Sequence, residues 1–269
     1  MHITSLGYRT DLMLLSLHGS RLDDHGSHLV VHSPHNPTHW WGNFILWGAP
    51  PAAGDLAVWE QRFTHSFPDA GHRCFGLDGT DGDLGAIDQF RAAGYTVELS
   101  TVLTASAVHE PPRPNHEATY RPLDLDDAGD LESAVDVQMA GNDRLEPVAY
   151  RRYVDAKMAS MLELQSAGLG RWFGAFLDGR MYSGLGLFTD GSGLARFQSV
   201  DTRPDTRGRG LASSLVHYAS VYGLGDLGAH TLVMVADPDY LAIRIYRSVG
   251  FADTETQVQL ERPPADALA

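Results

Sequence analysis

The residues of this chain most suited to chemistry lie in a short turn that holds two arginines and two glycines. Arg207, Gly208, Arg209 and Gly210 follow an apolar segment at residues 195–200 that predicts a strand. After the turn, apolar residues at helical spacing predict a helix: Leu211, Leu215, Tyr218 and Tyr222. A helix N-terminus offers unpaired backbone N–H groups and a positive dipole end. The turn is therefore a candidate site for an anion such as phosphate.

Two familiar phosphate loops do not fit this turn. A Walker loop would need Gly-Lys followed by Ser or Thr, and a dinucleotide fingerprint would need three spaced glycines after a domain's first strand. The pattern Arg/Gln-x-x-Gly-x-Gly/Ala does fit, at Arg207, Gly210 and Ala212. It resembles the acetyl-CoA pyrophosphate loop of the GCN5-related N-acetyltransferase (GNAT) superfamily. The alternative is an ordinary glycine-rich turn into a helix.

A second segment strengthens this resemblance. After an apolar stretch at residues 231–236, the family's other signature has Asn, then Ala-x-x-x-Tyr, then Gly-Phe. Tyr246, Gly250 and Phe251 match it, whereas Asp239 stands where the family usually has Asn. With both motifs in the family's order, residues 118–269 are identified as a GNAT N-acetyltransferase domain.

The resemblance implies an α/β (α+β) class, the acyl-CoA N-acyltransferase fold, with a mixed central sheet flanked by helices. We expect the order βααβββαβαβ, with a hairpin across Asp178-Gly179 and a last strand near residues 257–261. We also expect Asp124 to cap the first helix of this domain, Pro147 to begin the second, and Asp239 to cap the helix that carries Tyr246.

The N-terminal part resembles a truncated, degenerate copy of the same domain. The segment Phe90-Arg-Ala-Ala-Gly94-Tyr95 mirrors the segment from Tyr246 to Phe251. Gly48-Ala-Pro-Pro stands in place of the phosphate loop, and its prolines lack the N–H donors that a phosphate needs. We predict extended segments at residues 11–17, 27–32 and 40–47, and helices at 55–67 and 84–93 capped by Asp55 and Asp83. The predicted boundaries are 1–104 for this domain and 105–117 for a proline-rich linker.

The resemblance also implies roles for individual residues. Main-chain groups of Val200, Asp201 and Thr202 would receive the pantetheine arm of acetyl-CoA. The remaining cofactor-binding candidates are Arg207, Gly208, Arg209, Gly210, Leu211, Ala212, Ser213 and Asp239. Tyr246 would be the general acid that protonates the CoA thiolate as an amine attacks the acetyl group. The alternative for Tyr246 is an aromatic side chain that only packs beside Ile245.

The general base is open at this stage. An alkyl amine has a pKa of ~10.4 and must lose a proton before it attacks. Three carboxylates are candidates: Asp201 on the central strand, and Asp143 and Glu146 in the loop after the first helix. Each could instead be a capping or solvated carboxylate, and relay through water is a further alternative.

Composition restricts the class of partner. The formal charge of −14 argues against nucleic acid and anionic membrane as partners, and it suits a cationic acceptor. Neither a secretory signal nor a bilayer-spanning stretch is evident, so we expect a cytoplasmic protein.

His28, His32 and His35 could converge on a metal, but no ligand pattern completes a site, and we expect no metal. A homodimer is plausible.

Two functional classes compete. The leading hypothesis is an acetyl-CoA-dependent N-acetyltransferase whose acceptor is a small-molecule or peptide amine. The alternative is a non-catalytic acyl-CoA-binding or regulatory protein. Tyr246 favours the enzyme, while the identity of the amine is not encoded in the two motifs.

Overall fold

The computed structural model of the chain describes residues 1–37, 39–142 and 146–264. These residues divide into two compact units. The first unit comprises Met1–Val102, Val235–Pro238 and the chain from Asp253 onward, and the second comprises Leu103–Met234 and Asp239–Ala252.

Seven helices and eleven strands are found in the described residues. The helices are α1 (Leu6–Leu17), α2 (Asp55–Ser66), α3 (Asp88–Ala92), α4 (Ala128–Gly141), α5 (Pro147–Ser166), α6 (Leu211–Leu224) and α7 (Ile243–Arg247). The strands are β1 (Arg21–Asp24), β2 (His28–His32), β3 (Phe44–Trp47), β4 (Arg73–Leu77), β5 (Thr96–Ala105), β6 (Thr119–Pro122), β7 (Gly170–Leu177), β8 (Arg180–Phe188), β9 (Leu194–Thr202), β10 (Thr231–Ala236) and β11 (Ala252–Arg262).

The first unit is a mixed sheet in the order β1-β2-β3-β4-β11-β5. Strands β3 and β4 are parallel and are joined through α2, whose apolar stripe of Trp59 and Phe63 packs on the sheet as its spacing predicts. Trp59 stacks on Trp47 with ring centroids 4.4 Å apart. The core of this unit is therefore largely aromatic.

The extended segment predicted at residues 11–17 is wrong, because these residues belong to α1. The Ser5 side chain caps this helix by accepting from the Tyr8 N–H at 3.3 Å. Glu255 of β11 accepts from the Leu6 and Gly7 N–H groups at 3.0 and 3.3 Å. A carboxylate almost 250 residues away in sequence thus completes the N-terminus of α1.

The strand predicted near residues 257–261 is present as β11, but it lies beside β4 in the first unit. Val258 pairs with Leu77 and Leu260 with Phe75 in an antiparallel register. The buried Tyr8 hydroxyl donates to the Val258 carbonyl. Strand β11 is therefore part of the core around α1.

The second unit is a sheet in the order β10-β9-β8-β7-β6, in which β9 and β10 are parallel and joined through α6. The predicted β7–β8 hairpin is confirmed, with Asp178 and Gly179 at φ 48° and 78°. Pro147 begins α5 as predicted. Helices α4, α5 and α6 pack on this sheet.

Four predicted helix caps are wrong. Gly54 precedes α2, so Asp55 is already helical, and Ile87 rather than Asp83 precedes a shorter α3. Asp127 caps α4 instead of Asp124, with its carboxylate accepting from the Gly129 and Asp130 N–H groups at 2.8 and 3.0 Å. Ala242 occupies the position before α7, which begins later than predicted, and Asp239 lies upstream of it.

The mirrored segments fold into the same turn in both units. After α3, Gly94 has φ 85° and the Tyr95 N–H donates to the Phe90 carbonyl at 3.1 Å. After α7, Gly250 has φ 110° and the Phe251 N–H donates to the Tyr246 carbonyl at 3.2 Å. Positive φ is the reason for a glycine at each turn.

His28 and His32 pack on aromatic rings, and they do not converge with His35 on one point. His28 stacks on Trp47 at 4.6 Å, and burial lowers its pKa to about 4. His32 packs on Phe67 at 4.7 Å, whereas His35 is exposed. Within the described residues, no group of three or more His, Cys, Asp or Glu could hold a metal ion, and no helix is long and apolar enough to cross a membrane.

Candidate functional site

The candidate site begins at an irregularity near the end of β9. Gly186 on β8 pairs with Gln198 and Gly184 pairs with Asp201, so two residues of β9 oppose Leu185 alone. These two residues are Ser199, with φ 45°, and Val200. Such a β-bulge leaves an unpaired residue in the ladder and bends the strand. Main-chain groups near Val200 are thereby available to an extended ligand.

Downstream of the bulge, the N-terminus of α6 is open. Gly208 and Gly210 have φ 79° and 78°, and among the described residues no side chain caps the first turn of the helix. The backbone N–H groups at the start of this turn belong to Leu211, Ala212 and Ser213, as the motif predicts. Unpaired N–H groups and the helix dipole together favour an anion here.

The two loop glycines have different surroundings. A Cβ on Gly210 would lie 2.6 Å from the Arg113 carbonyl oxygen, so only glycine fits there. A Cβ on Gly208 would meet no atom within 4 Å. Residues of the predicted linker hold the loop from one side, since the Asn115 side chain donates to the Arg209 carbonyl at 3.0 Å. Gly208 is therefore the loop position at which a side chain can be added.

Both loop arginines are exposed. The Arg207 Nε donates to the Thr202 carbonyl at 3.3 Å, which ties the loop to the end of β9. The Arg209 guanidinium lies 3.1 Å from the Glu117 carboxylate. An exposed ion pair of this kind is worth little, so Arg209 is free to exchange Glu117 for a ligand's phosphate.

Tyr246 lies buried on α7 in the same unit as the open helix end. Burial raises the pKa of its phenol, and the nearby Asp201 carboxylate raises it further. The phenol is consequently protonated throughout the neutral range. Among the described residues, no group hydrogen-bonds to its hydroxyl. Within the described part of the chain, its proton is therefore not engaged by another acceptor.

Asp201 lies half-buried at the end of β9, and the pKa of its carboxyl is shifted. Burial raises the pKa of its carboxyl to about 6, against the opposing effects of Lys157 and Arg207. The same carboxylate influences the pKa of Tyr150 and Tyr153 on α5. Asp201 is thus central to a cluster of titratable groups and is poised to exchange a proton near neutral pH.

Lys157 of α5 completes this cluster. Its ammonium donates to the Ser199 hydroxyl at 2.5 Å and to the amide oxygen of the buried Gln138. Burial lowers the pKa of Lys157 to about 8, although Asp201 partly opposes this shift. Gln138 and Lys157 therefore hold the bulge residue Ser199 from the helical side.

Two other carboxylates, Glu146 and Asp143, were candidates for the general base. Glu146 caps α5, where its two oxygens accept from the Val148 and Ala149 N–H groups at 3.0 and 2.7 Å. These bonds lower its pKa and engage both oxygens. Asp143 lies outside the described residues. Of the two described carboxylates, Asp201 is accordingly the better placed.

Comparisons with known proteins agree with this geometry. Residues 188–260 match the family model described as FR47-like protein. A GCN5-related N-acetyltransferase from Kribbella flavida matches 97% of this chain and 96% of its own, with TM-score 0.63 and 16% identity. The chain therefore has a GNAT-like fold. A tandem GNAT protein from the clavulanic acid biosynthesis pathway matches 96% of the chain and 94% of its own, with TM-score 0.55 and 15% identity.

The GNAT-like fold thus extends over the whole chain, as the predicted fold class requires. A conserved protein of unknown function from Staphylococcus epidermidis also has this fold, over 92% of this chain and 95% of its own, with TM-score 0.69 and 9% identity. No curated protein matches the sequence.

In the first unit, the N-terminus of α2 corresponds to the open N-terminus of α6, and its N–H groups already have acceptors. The Gln89 side-chain oxygen accepts from the Gly54 and Leu56 N–H groups at the start of α2, at 3.1 and 3.3 Å. Its amide nitrogen donates to the Ala52 carbonyl at 2.7 Å, and the Asp55 carboxylate accepts from the Ala52 N–H at 2.8 Å. An anion would find these donors occupied.

The sequence motifs did not identify Lys157, Gln138 or Ser199 as part of the site. One signal was available, because Lys157 is the only lysine among 20 lysines and arginines. Every other residue of this pair of types is arginine, and the pKa of lysine, unlike that of arginine, shifts readily on burial. The partners of Lys157 depend on tertiary packing and are not visible in the sequence.

Proposed function

We propose that the chain is an acetyl-CoA-dependent N-acetyltransferase and that its site lies in the second unit. The observation that carries the proposal is the presence, in one unit, of an uncapped α6, a bulge at Ser199–Val200 and a protonated, buried Tyr246. Acetyl-CoA would supply the activated acetyl group. The residues for its diphosphate would be Arg207 to Ser213, with Val200, Asp201 and Thr202 beside its pantetheine arm.

Two side chains of the protein would move protons. Asp201, ionised above pH ~6, would accept a proton from the acceptor amine, directly or through water. Tyr246 would donate a proton to the sulfur of the CoA thiolate as it leaves. A raised carboxyl pKa and a protonated phenol are the states that these two roles need.

A matched pair of variants at Gly208 tests the cofactor site. Asp and Asn are nearly the same size, both tolerate positive φ, and the position is open. Calorimetry should show Gly208→Asp weakening acetyl-CoA binding by roughly tenfold or more relative to Gly208→Asn, since only Asp brings a negative charge beside the phosphates. Equal binding by the two variants would place the diphosphate elsewhere.

Turnover tests the chemistry. Released CoA can be followed with a thiol reagent, because the one cysteine, Cys74, is fully buried. Tyr246→Phe should lower kcat by about 10²-fold or more while leaving the acetyl-CoA Kd unchanged. Acetyl-CoA binding without acetylation of any amine would favour the non-catalytic alternative.

A further inference from the structure

Lys157 is an ammonium held at a fixed point in the candidate site. It is half-buried on α5, and its Nζ lies 5.6 Å from the Trp172 ring and 5.9 Å from the Tyr153 ring. Ser199 and Gln138 accept two of its three N–H donors. Gln138 of α4 is itself buried, and its amide nitrogen donates to the Met158 sulfur of α5 at 3.3 Å.

The charge of this ammonium is not neutralised by an ion pair. Among the described residues, no carboxylate lies within 4.0 Å of Nζ. Asp201 is near enough to interact with Lys157 electrostatically, but the two groups remain apart. A desolvated charge without a counter-ion is costly, and proteins keep such groups chiefly where a ligand supplies the partner.

The surroundings suit an apolar ligand with one anionic group. Tyr150 and Tyr153 stack with ring centroids 6.1 Å apart on α5, and Tyr153, whose ring lies 5.9 Å from the Lys157 Nζ, is 50% exposed. An exposed aromatic side chain beside a fixed ammonium resembles a small-molecule site, in which few polar groups fix the orientation.

We propose that Lys157 binds a carboxylate of the acceptor, so that the acceptor is an amine that also bears a carboxylate, such as an amino acid with an apolar or aromatic side chain. This inference rests on the proposed acetyltransferase function. Lys157 would anchor the carboxylate while the amino group faces Asp201. A polycationic acceptor fits less well, because Lys157 would repel its second positive charge.

Matched acceptor pairs test the proposal. Each pair consists of an amino acid and the amine left after decarboxylation: phenylalanine with phenethylamine, tyrosine with tyramine, and leucine with isoamylamine. For the wild-type protein, kcat/KM should be higher for the amino acid by on the order of 10- to 100-fold, as expected for a hydrogen bond between charged groups. In Lys157→Met this preference should disappear.

Two controls separate recognition from a structural role. Lys157→Arg keeps the positive charge and should retain most of the preference. Arg151→Met removes an exposed arginine of the same helix, which pairs with Glu132 and Asp155, and should change nothing. Acetyl-CoA affinity should be equal in all the variants, and it reports whether the Met variant is folded.

The outcomes are distinguishable. Acetylation of both members of each pair at equal rates, or faster reaction of the decarboxylated amines, would overturn this inference and leave the acetyltransferase function intact. A preference that persists in Lys157→Met would also overturn it. Failure to acetylate any member of any pair would count against the proposed function itself.

Discussion

Replacing Lys157 with methionine should raise the pKa of Asp201 by an amount that can be estimated. That pKa is about 6 in the intact site, where Lys157 and Arg207 oppose the effect of burial. The two groups lie more than 4.0 Å apart. At ~6–8 Å and an effective dielectric constant of ~20–40, one unit charge is worth ~1–3 kcal/mol. This corresponds to ~0.7–2 pKa units, so Asp201 should titrate at ~7–8 in the variant.

The assay is the ratio of kcat/KM for Lys157→Met and the wild type, measured from pH 5.5 to 9. The acceptor should be an amine without a carboxylate, so that loss of an anion contact does not contribute. Deprotonation of that amine affects both proteins equally and cancels in the ratio. Because the base must be ionised, the ratio should be lowest, ~5- to 100-fold below unity, on the acid side and should approach unity at high pH.

Arg151→Met provides the charge control, because it removes a cation from the exposed side of α5 that does not influence Asp201. Its ratio should stay near unity at every pH. A pH-independent ratio for Lys157→Met would refute the reasoning, since either Asp201 is not the base or Lys157 does not set its pKa.

Two predictions concern the first unit. Gln89→Ala should lower the free energy of unfolding by ~0.5–2 kcal/mol in urea titrations, because it leaves two N–H groups of the α2 N-terminus without their acceptor, whereas Gln89→Glu restores an acceptor and should recover part of the loss. Both variants should still bind one acetyl-CoA per chain, and a second bound molecule would show that the N-terminus of α2 can also bind it. Glu255→Ala should cost ~1–3 kcal/mol and selectively expose the amides of α1 to hydrogen exchange, because its carboxylate accepts from Ser5, Leu6 and Gly7. Unchanged protection in α1 would contradict that account.

The sequence predicted best those elements whose signals are local. The strand–loop–helix from β9 to α6, the β7–β8 hairpin at Asp178-Gly179 and the stripe of α2 each depend on residues within a few positions of one another. Helix caps failed more often, because packing decides which residue precedes the helix and which side chain caps it. At α4, three candidates lie within four positions, at Asp124, Asp126 and Asp127.

Features that depend on distant residues were not predictable. The segment Leu12 to Leu15 is a continuous apolar run, which periodicity cannot assign to helix or strand. It is helical because α1 is buried against β11 and its N-terminus is completed by Glu255. In the candidate site, likewise, Lys157, Gln138 and Ser199 lie on three different elements. Only their packing shows that the ammonium, the amide and the hydroxyl belong together.

The two units differ at two adjacent positions that bear on the proposed anion binding and proton donation. In the first unit, the mirrored segment carries Gln89 and Phe90. The Gln89 side-chain oxygen accepts from N–H groups at the start of α2, and the Phe90 ring has no proton to donate. In the second, Ile245 and Tyr246 occupy the matching positions. The Ile245 side chain cannot accept a hydrogen bond, so it leaves the N–H groups at the start of α6 open, and the Tyr246 phenol can donate a proton. Under the proposed function, the second unit therefore has both an open helix N-terminus and a proton donor, and the first unit has neither at the matching positions.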